Sequence, residues 1–260
     1  MTVAEFLAET IETKHRLAPQ SWRVIEDYYP GLGTNPSYYS QSMELAYAFI
    51  YQFIASNQGC SILDVGCGVG TESLAFARMG ARVQGIDVTA EYLSCANERL
   101  QLLRRESLPV EFQYANVLDL QPPQPFDAIW LNQAYHHLEP RKAVVAKLAG
   151  LVRRGGMVLV SDTNAANPLV QLIFFRHRGF QTVREYRDPN GILRAYGRER
   201  VTTVRGVVKA FAEHGFHHAG HFHYKVFPNS PRFAQCEALA KRVRLPHVFY
   251  ANYTLALIKA

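Results

Sequence analysis

Three glycines at alternate positions follow an apolar run in LDVGCGVG, residues 63–70. Such a bare backbone, between a strand and a helix N-terminus, lets a ligand approach free N–H groups closely. Dinucleotide-binding loops read G-x-G-x-x-G, whereas here the third glycine, Gly70, comes one residue earlier. Asp64 precedes the loop, where a carboxylate would repel a pyrophosphate but attract a cationic amine. The segment therefore indicates a nucleoside that carries an amino-acid group.

Polar residues end each of the strands predicted around this loop. From Ser61, short apolar runs alternate with helix-length amphipathic segments, as in a doubly wound, mostly parallel α/β sheet. Ligands of such sheets bind at the carboxyl ends of the strands. The residues at those ends are Asp64, Asp87, Asn116, Asn132 and Asp162. Any single one could merely cap a turn, but together they predict a binding site.

Two segments outside the alternation could cover this site. Residues 1–58 are predicted to be a helical lid segment ahead of the core at residues 59–163. Residues 164–203 form an insertion, predicted to cap the substrate. Residues 204–260 return to the core pattern with a helix near Val204 and two strand candidates. The N-terminal helices and the insertion are the natural material for a lid over the sheet edge.

Four motifs within three stretches of sequence resemble those of a known family. The stretches ILDVGCGVGTESLAFARMGARVQGIDVTAEYLSCA, YANVLDLQPPQPFDAIWLNQAYHHLEP and LVRRGGMVLVSD resemble, in order, the motifs of class I S-adenosylmethionine-dependent methyltransferases. The resemblance covers roughly residues 60–163. It implies a seven-stranded, Rossmann-like α/β sheet, S-adenosylmethionine as the cofactor and methyl transfer as the activity.

The resemblance also implies roles for individual residues. Asp64 and the glycines would hold the methionine part of the cofactor, and Asp87 would bind the ribose. Asn116 and Val117 stand where the family has its adenine contacts, with Asn in place of the commoner Asp. The cofactor-binding residues predicted in this way are Asp64, Gly66, Cys67, Gly68, Gly70, Asp87, Val88, Asn116, Val117, Asn132 and Gln133.

The segment AYHHLEP, just past the fourth strand, supplies candidates for proton transfer. Methyl transfer from a sulfonium depends on positioning, and an oxygen or nitrogen acceptor can also need its proton removed. His137 is the predicted base, with His136 and Asp162 as further catalytic candidates. The alternative is that both histidines only pack or cap. Asn164, after the fifth strand, is a candidate substrate contact.

The sequence predicts no metal site. The residues around Asp162 lack the spacing of metal-dependent catechol-type O-methyltransferases. His217, His221 and His223 would share one face of a strand, but no carboxylate or cysteine lies near them in the sequence. Solvated imidazoles on an edge strand explain that run more simply.

Positive charge is concentrated in the insertion. Between residues 176 and 205, eight arginines minus three acids give +5 of the chain's formal net charge of +6. Arginine favours bidentate recognition of carboxylate or phosphate. Arg194 and Arg198 are therefore predicted to bind an acidic group on a small-molecule methyl acceptor, and Tyr196, which they flank, is a further predicted substrate contact. Two alternatives remain open, an RNA substrate bound through this insertion and a cofactor-binding module without turnover.

Paired tyrosines precede the sheet in a turn-rich stretch. Tyr28, Tyr29, Tyr38 and Tyr39 are predicted to fold over the methyl-donor pocket and contact the substrate. Packing on the core is the alternative.

Composition points to a cytoplasmic protein without a membrane partner. No segment approaches the about 20 apolar residues of a bilayer span, and the first residues lack the basic start of a signal peptide. The four cysteines are scattered without a CxxC pair, so reduced thiols are expected. The sequence does not indicate an oligomeric state.

Overall fold

The computed structural model describes residues 2–32, 44–227, 233–240, 242–243 and 245–260. Its strands are β1 (Ser61–Val65), β2 (Arg82–Asp87), β3 (Val110–Tyr114), β4 (Phe126–Asn132), β5 (Val152–Thr163), β6 (Val183–Arg187), β7 (Leu193–Gly197), β8 (Phe216–Tyr224) and β9 (Asn252–Lys259). Its helices are α1 (Val3–Glu12), α2 (Pro19–Tyr28), α3 (Ala48–Ser56), α4 (Thr71–Arg78), α5 (Ala90–Leu102), α6 (Arg141–Leu151), α7 (Pro168–Arg178), α8 (Val204–Ala212) and α9 (Ala234–Ala240).

Seven strands form one sheet in the order β3-β2-β1-β4-β5-β9-β8. The pairs among β1 to β5 are parallel, whereas β9 runs antiparallel to both β5 and β8. The strand order reverses between β1 and β4, and a crevice opens at such a switch point beyond the carboxyl ends of the strands. The predicted α/β fold class is confirmed. Of the predicted polar residues, Asp87, Asn116 and Asn132 open onto this crevice, whereas Asp64 and Asp162 are buried.

The sheet separates two layers of apolar packing. Along β4, Trp130 belongs to the cluster that contains α1 to α5, whereas its neighbours Ile129 and Leu131 belong to the cluster that contains α6 and α8. This alternation follows from the period of two in a strand, and it explains why β4 is apolar on both faces. The site is therefore carried by a sheet that is buried on both sides.

The N-terminal helices are part of the core. A capping box starts α1, in which Thr2 Oγ1 accepts from the Glu5 backbone N–H at 3.1 Å and the Glu5 carboxylate accepts from the Thr2 N–H at 2.7 Å. The helix then buries Phe6 and Leu7. A 3-10 turn at Glu44–Tyr47 leads into α3, the last helix of this segment.

The insertion folds into α7 and a hairpin of β6 and β7. The turn has the sequence Asp188-Pro189-Asn190-Gly191, in which the Asp188 carboxylate accepts from the N–H groups of Asn190 and Ile192. A bridge between Leu138 and Tyr196 attaches the hairpin to the segment that follows β4. The insertion thus reaches the strand ends through a defined hairpin.

Two further predictions concern membrane spans and the state of the cysteines. None of the helices in the described part of the chain is long and apolar enough to cross a membrane. The four cysteines are free thiols; Cys60, Cys67 and Cys95 are buried, and Cys236 is exposed.

Candidate active site

The glycine loop adopts a backbone that requires glycine. Gly66, Gly68 and Gly70 have φ angles of 76°, 52° and 75°, in the left-handed region. A Cβ atom at Gly68 would lie 2.5 Å from the Tyr28 hydroxyl oxygen, and one at Gly70 would lie 2.6 Å from Cζ of Phe112. The loop therefore turns tightly into α4 and lets the end of α2 lie directly against it.

Asp87 joins the end of β2 to this loop. Its Oδ2 accepts from the Gly68 N–H at 3.0 Å, and its Oδ1 accepts from the Thr89 N–H at 2.8 Å. These bonds fix the orientation of the carboxylate, which also lines the cavity at the strand ends. A fixed carboxylate can accept hydrogen bonds from a pair of ligand hydroxyls.

Buried acids lie behind the loop. The Asp64 carboxylate accepts from the Ser73 hydroxyl at 2.6 Å, and Glu72 accepts from the Tyr47 hydroxyl at 2.8 Å and from Asn132 Nδ2 at 2.9 Å. Burial, reinforced by the charge of Glu72, raises the pKa of Asp64 to about 8. A cationic group placed beside these carboxylates would favour their charged forms.

Glu72 was not among the residues predicted from the sequence. It is an acid in the first turn of the helix that directly follows the glycine loop. That position is the signal that could have identified it, because side chains of that turn lie close to the loop.

The first cavity, of 290 Å³, lies at the carboxyl ends of β1, β2 and β4. Of the predicted cofactor residues, those lining it are Gly66, Asp87, Val88, Asn116, Val117, Asn132 and Gln133. Asp64, Cys67, Gly68 and Gly70 do not line it: Asp64 and Cys67 are buried, Gly68 lies under Tyr28, and Gly70 faces Ala96 and Phe112. Aromatic walls come from Tyr28, Tyr92, Tyr186 and Tyr196.

The second cavity, of 520 Å³, lies beside the first. Its walls come from the N-terminal segment, the ends of β4 and β5, α7 and the region of β8 and β9; they include Tyr29, Tyr47, Glu72, His136, Thr163, Phe174, Lys225 and Asn252. The residues that line both cavities are Tyr28, Asn132, Gln133 and His137. A ligand in either cavity can therefore meet one in the other at the end of β4.

His136 and His137 lie in a 3-10 turn at this junction. His136 donates to the buried carboxylate of Asp162 from its backbone N–H at 3.0 Å and from Nδ1 at 2.5 Å. His137 donates from Nδ1 to the carbonyl oxygen of Gly197 at 2.8 Å, and its ring stacks on Tyr196 with centroids 4.7 Å apart. In the neutral form of each ring these acceptors place the proton on Nδ1, which leaves the lone pair on Nε2.

The two imidazoles differ in basicity. Burial opposes the charged form of His136, but the charge and hydrogen bond of Asp162 outweigh it and raise the pKa of His136. Burial and the neighbouring charge of His136 lower the pKa of His137. His137 is therefore held in its neutral form at neutral pH.

Glu199 completes this group, although sequence reasoning counted it only as an acid that offsets the arginines. Its backbone is left-handed, with φ of 47°, and its Oε2 lies 3.5 Å from Nε2 of His136. Nothing in the sequence near Glu199 signals the histidines, because 63 positions separate it from His136.

The arginines of the insertion do not occupy the predicted position. Arg194 forms ion pairs with Asp119 at 2.5 Å and Asp188 at 3.0 Å, and Arg198 donates to the Gln181 side chain at 2.9 Å. Within the described residues, none of the eight arginines lines either cavity. The prediction that Arg194 and Arg198 bind substrate is therefore not supported by their placement, and the basic side chain of the second cavity is Lys225.

Only some of the other predicted substrate contacts line a cavity. Tyr28 lines both cavities, Tyr29 lines the second, and Tyr196 lines the first. Tyr38 and Tyr39 lie outside the described residues. Asn164 is buried, and its side chain donates to the carbonyl oxygens of His247 and Tyr250 at 2.9 and 3.0 Å, so it holds the backbone and lines neither cavity.

Comparison with known proteins finds a match for the part of the chain that carries the glycine loop. Residues 62–156 match the model of a methyltransferase domain. A ubiquinone biosynthesis O-methyltransferase of Xanthomonas campestris pv. campestris is 37% identical over 108 residues, which are 41% of this chain and 44% of that protein. The match thus spans less than half the length of the curated relative.

Solved structures extend the likeness in fold. The magnesium protoporphyrin IX methyltransferase of Synechocystis, with bound S-adenosylhomocysteine, superposes with a TM-score of 0.58 at 18% identity, over 87% of this chain and 88% of that one. A Burkholderia thailandensis 1,6-didemethyltoxoflavin-N1-methyltransferase, also with S-adenosylhomocysteine, has a TM-score of 0.54 at 17% identity, over 94% and 91%.

These findings agree with the glycine loop, the carboxylate that ends β2 and the order of the sheet. The predicted methyltransferase domain and its cofactor, S-adenosylmethionine, are confirmed. Residues 62–156 are thus a methyltransferase domain, and the chain shares the fold of S-adenosylmethionine-dependent methyltransferases.

Proposed function

We propose that this protein transfers a methyl group from S-adenosylmethionine to a small molecule held in the second cavity. The observation that carries the proposal is the meeting of the two cavities at Asn132, Gln133 and His137. When bound, the cofactor supplies an electrophilic methyl carbon on a sulfonium. A direct displacement requires that carbon to face the acceptor, which a junction between two pockets allows.

The first cavity receives the nucleoside part of the cofactor in this proposal. Asp87 accepts hydrogen bonds from the ribose hydroxyls, and Asn116 and Val117 border the adenine. Asp64 and Glu72 would hold the methionine amine, whose positive charge would offset the buried carboxylates. Glycine at position 66 keeps the loop close to the end of β4, since a Cβ there would lie 2.9 Å from Cβ of Ala134, and Gly66 itself lines the first cavity.

The second cavity holds the acceptor, and its chemistry points to an acidic group on that molecule. Lys225 is a wall residue with a left-handed backbone, φ 62°, and no ion pair or side-chain hydrogen bond of its ammonium is found among the described residues. Burial lowers the pKa of Lys225, against the opposing effect of Glu237. A carboxylate on the acceptor would offset that cost. Lys225 thus takes the role first predicted for the arginines.

The reaction places the acceptor's nucleophile beside the histidines. Asp162 and the Gly197 carbonyl orient the rings so that both Nε2 atoms are free of these hydrogen bonds. With the proton on Nδ1, the Nε2 atom of an imidazole can accept the proton that the acceptor's nucleophile loses. Tyr28 and the apolar walls would limit access of water to the junction.

A labelled methyl donor tests the proposed function. Protein incubated with S-adenosylmethionine carrying a tritiated methyl group is offered aromatic hydroxy acids in one set of reactions and transfer or ribosomal RNA in another. Label recovered in a small molecule supports the proposal, and label in RNA alone replaces it with the RNA alternative. Titration calorimetry with S-adenosylmethionine and with NAD⁺ provides the cofactor control, and only the first is expected to bind.

A further inference from the structure

Three side chains at the junction hold potential metal ligands close to one another. Within the described residues, His136, His137 and Glu199 form the one group of three or more histidine, cysteine or acidic side chains whose ligand atoms all lie within 4.8 Å of one another. They come from two separate parts of the fold, the 3-10 turn after β4 and the segment after β7. Their convergence therefore depends on the docking of the hairpin.

The remaining nitrogen of each histidine already has a partner. His136 Nδ1 donates to Asp162, and His137 Nδ1 donates to the Gly197 carbonyl. A carboxylate or carbonyl on the distal nitrogen is the usual arrangement for histidines that bind metals, because it fixes the tautomer and aims the Nε2 lone pair. Both imidazoles have this arrangement.

The distance between donors suits a metal ion better than a direct hydrogen bond. Nε2 of His136 and Oε2 of Glu199 are 3.5 Å apart, at the far end of hydrogen-bond range. Two ligands each about 2.1 Å from a tetrahedral ion lie about 3.4 Å from one another. The left-handed backbone of Glu199, unusual for a side chain of this kind, holds the carboxylate at this position.

We propose that His136, His137 and Glu199 bind a divalent first-row transition-metal ion of the zinc or iron class. Imidazole and carboxylate ligands suit these ions, and three protein ligands leave coordination positions open, as in catalytic metal sites. His136 and His137 line the second cavity, so an open position can take an acceptor hydroxyl. The expectation from sequence that the chain has no metal site is thereby revised.

The inferred ion deepens the proposed function and rests on it for its catalytic role. A hydroxyl bound to a divalent ion loses its proton to solvent more readily. Its oxygen then forms the bond to the methyl carbon, and the sulfur keeps the electron pair of the broken carbon–sulfur bond. The positions of the three ligands do not depend on that role.

Cobalt is the probe for this site. Chelator-treated protein is titrated with Co²⁺, and binding is followed by visible absorption and by calorimetry. We expect one Co²⁺ per chain, bound at least about tenfold more weakly by Glu199→Gln and His137→Ala. Asp162→Asn, which removes the partner of His136, should weaken binding by about 10- to 100-fold.

Two controls separate this site from other ligands. Glu185→Gln changes an exposed acid of the same insertion and should leave the titration unchanged. The double variant His218→Ala/His221→Ala removes an exposed histidine pair on β8, with Nε2 and Nδ1 3.0 Å apart, that could bind metal at the surface. Absence of Co²⁺ binding, equal binding by Glu199→Gln, or loss of binding only in the β8 variant would each overturn the proposal.

The same samples keep the two proposals distinct. Calorimetry with S-adenosylmethionine on metal-free protein and on each variant reports the first cavity and confirms that the chain is folded. Co²⁺ binding without methyl transfer would leave the metal site standing and reject the proposed function. Methyl transfer without Co²⁺ binding would support the proposed function and reject the metal site.

Discussion

His137 Nδ1 lies 2.8 Å from the carbonyl oxygen of Gly197, and this bond joins the end of β4 to the hairpin of the insertion. The hairpin passes so close to the histidines that a Cβ at Gly197 would lie 2.3 Å from the backbone oxygen of His136. The junction between the cavities therefore depends on glycine at this position. The first prediction follows from that contact.

Gly197→Ala should lower the rate of methyl transfer at least about tenfold, because the hairpin must shift away from His137. The melting temperature should also fall. Gly150→Ala is the matched control: it lies in α6 with no atom within 4 Å of the added Cβ, so it should be neutral or stabilise by about 0.5–1 kcal/mol. Equal rates in the two variants would show that the hairpin does not shape the site.

Asp87→Ala should weaken S-adenosylmethionine binding by about 1–3 kcal/mol, the usual worth of hydrogen bonds to a charged group. Calorimetry measures the affinity, and thermal unfolding shows whether loss of the bonds to Gly68 and Thr89 has disturbed the fold. Glu91→Ala, an exposed acid in the first turn of α5, is the control. Unchanged affinity in a folded Asp87 variant would remove this residue from the cofactor site.

Cofactor affinity should rise with pH below about 8. Burial keeps Asp64 protonated in the free protein, with a pKa raised to about 8, and the cofactor's amine would favour the carboxylate. Binding at pH 7 should then release a proton, seen as a dependence of the calorimetric heat on the buffer's ionisation enthalpy. Asp64→Asn should release fewer protons on binding than the wild-type protein. Any proton exchanged by the cofactor's amine is the same for both proteins and cancels in the comparison. Equal proton release in both would contradict the assignment.

The same shift has a signature in unfolding. The folded state holds the Asp64 proton more tightly than the unfolded chain, whose Asp pKa is about 3.9. The contribution of this group to the free energy of unfolding is therefore present at low pH and declines as the pH rises toward about 8. Asp64→Asn should flatten that part of the stability profile, which urea unfolding at a series of pH values would measure.

Lys225→Met should raise the KM for an acidic acceptor while leaving the affinity for S-adenosylmethionine unchanged, because Lys225 lines the second cavity and not the first. Loss of binding remote from the reacting atom acts mainly on KM. Lys209→Met, an exposed lysine of α8, should have no effect. A KM that rises equally for acidic and uncharged acceptors would argue against charge recognition.

Much of the core could be predicted because its signals are local. The run Ser61–Val65, the alternate glycines and α4 follow each other within 18 residues, so the apolar pattern and turn chemistry are enough to place them. The hairpin also has a local signal, the Asp188-Pro189-Asn190-Gly191 turn, although the sequence pattern alone predicts only an insertion over residues 164–203.

The residues around the second cavity could not be predicted because their partners are distant in the sequence. Arg194 forms an ion pair with Asp119, which is 75 positions away in the sequence, and Glu199 lies beside His136, which is 63 positions away. Charge counted along the sequence cannot distinguish an arginine paired on the outside of a hairpin from one that lines a cavity. Lys225 was not predicted for the same reason, since only the folded β8 region brings it to the second cavity.

Methyl transfer by His137→Ala tests the central claim most directly. With S-adenosylmethionine carrying a ¹³C-labelled methyl group and a panel of hydroxylated aromatic acids, NMR reports any new methyl resonance. Transfer by the wild-type protein is expected, with at least about a hundredfold lower rate in His137→Ala at saturating cofactor and with an unchanged melting temperature. Wild-type transfer rates in the variant, or no labelled product from cofactor-bound wild-type protein, would contradict the claim that the reaction occurs at this junction.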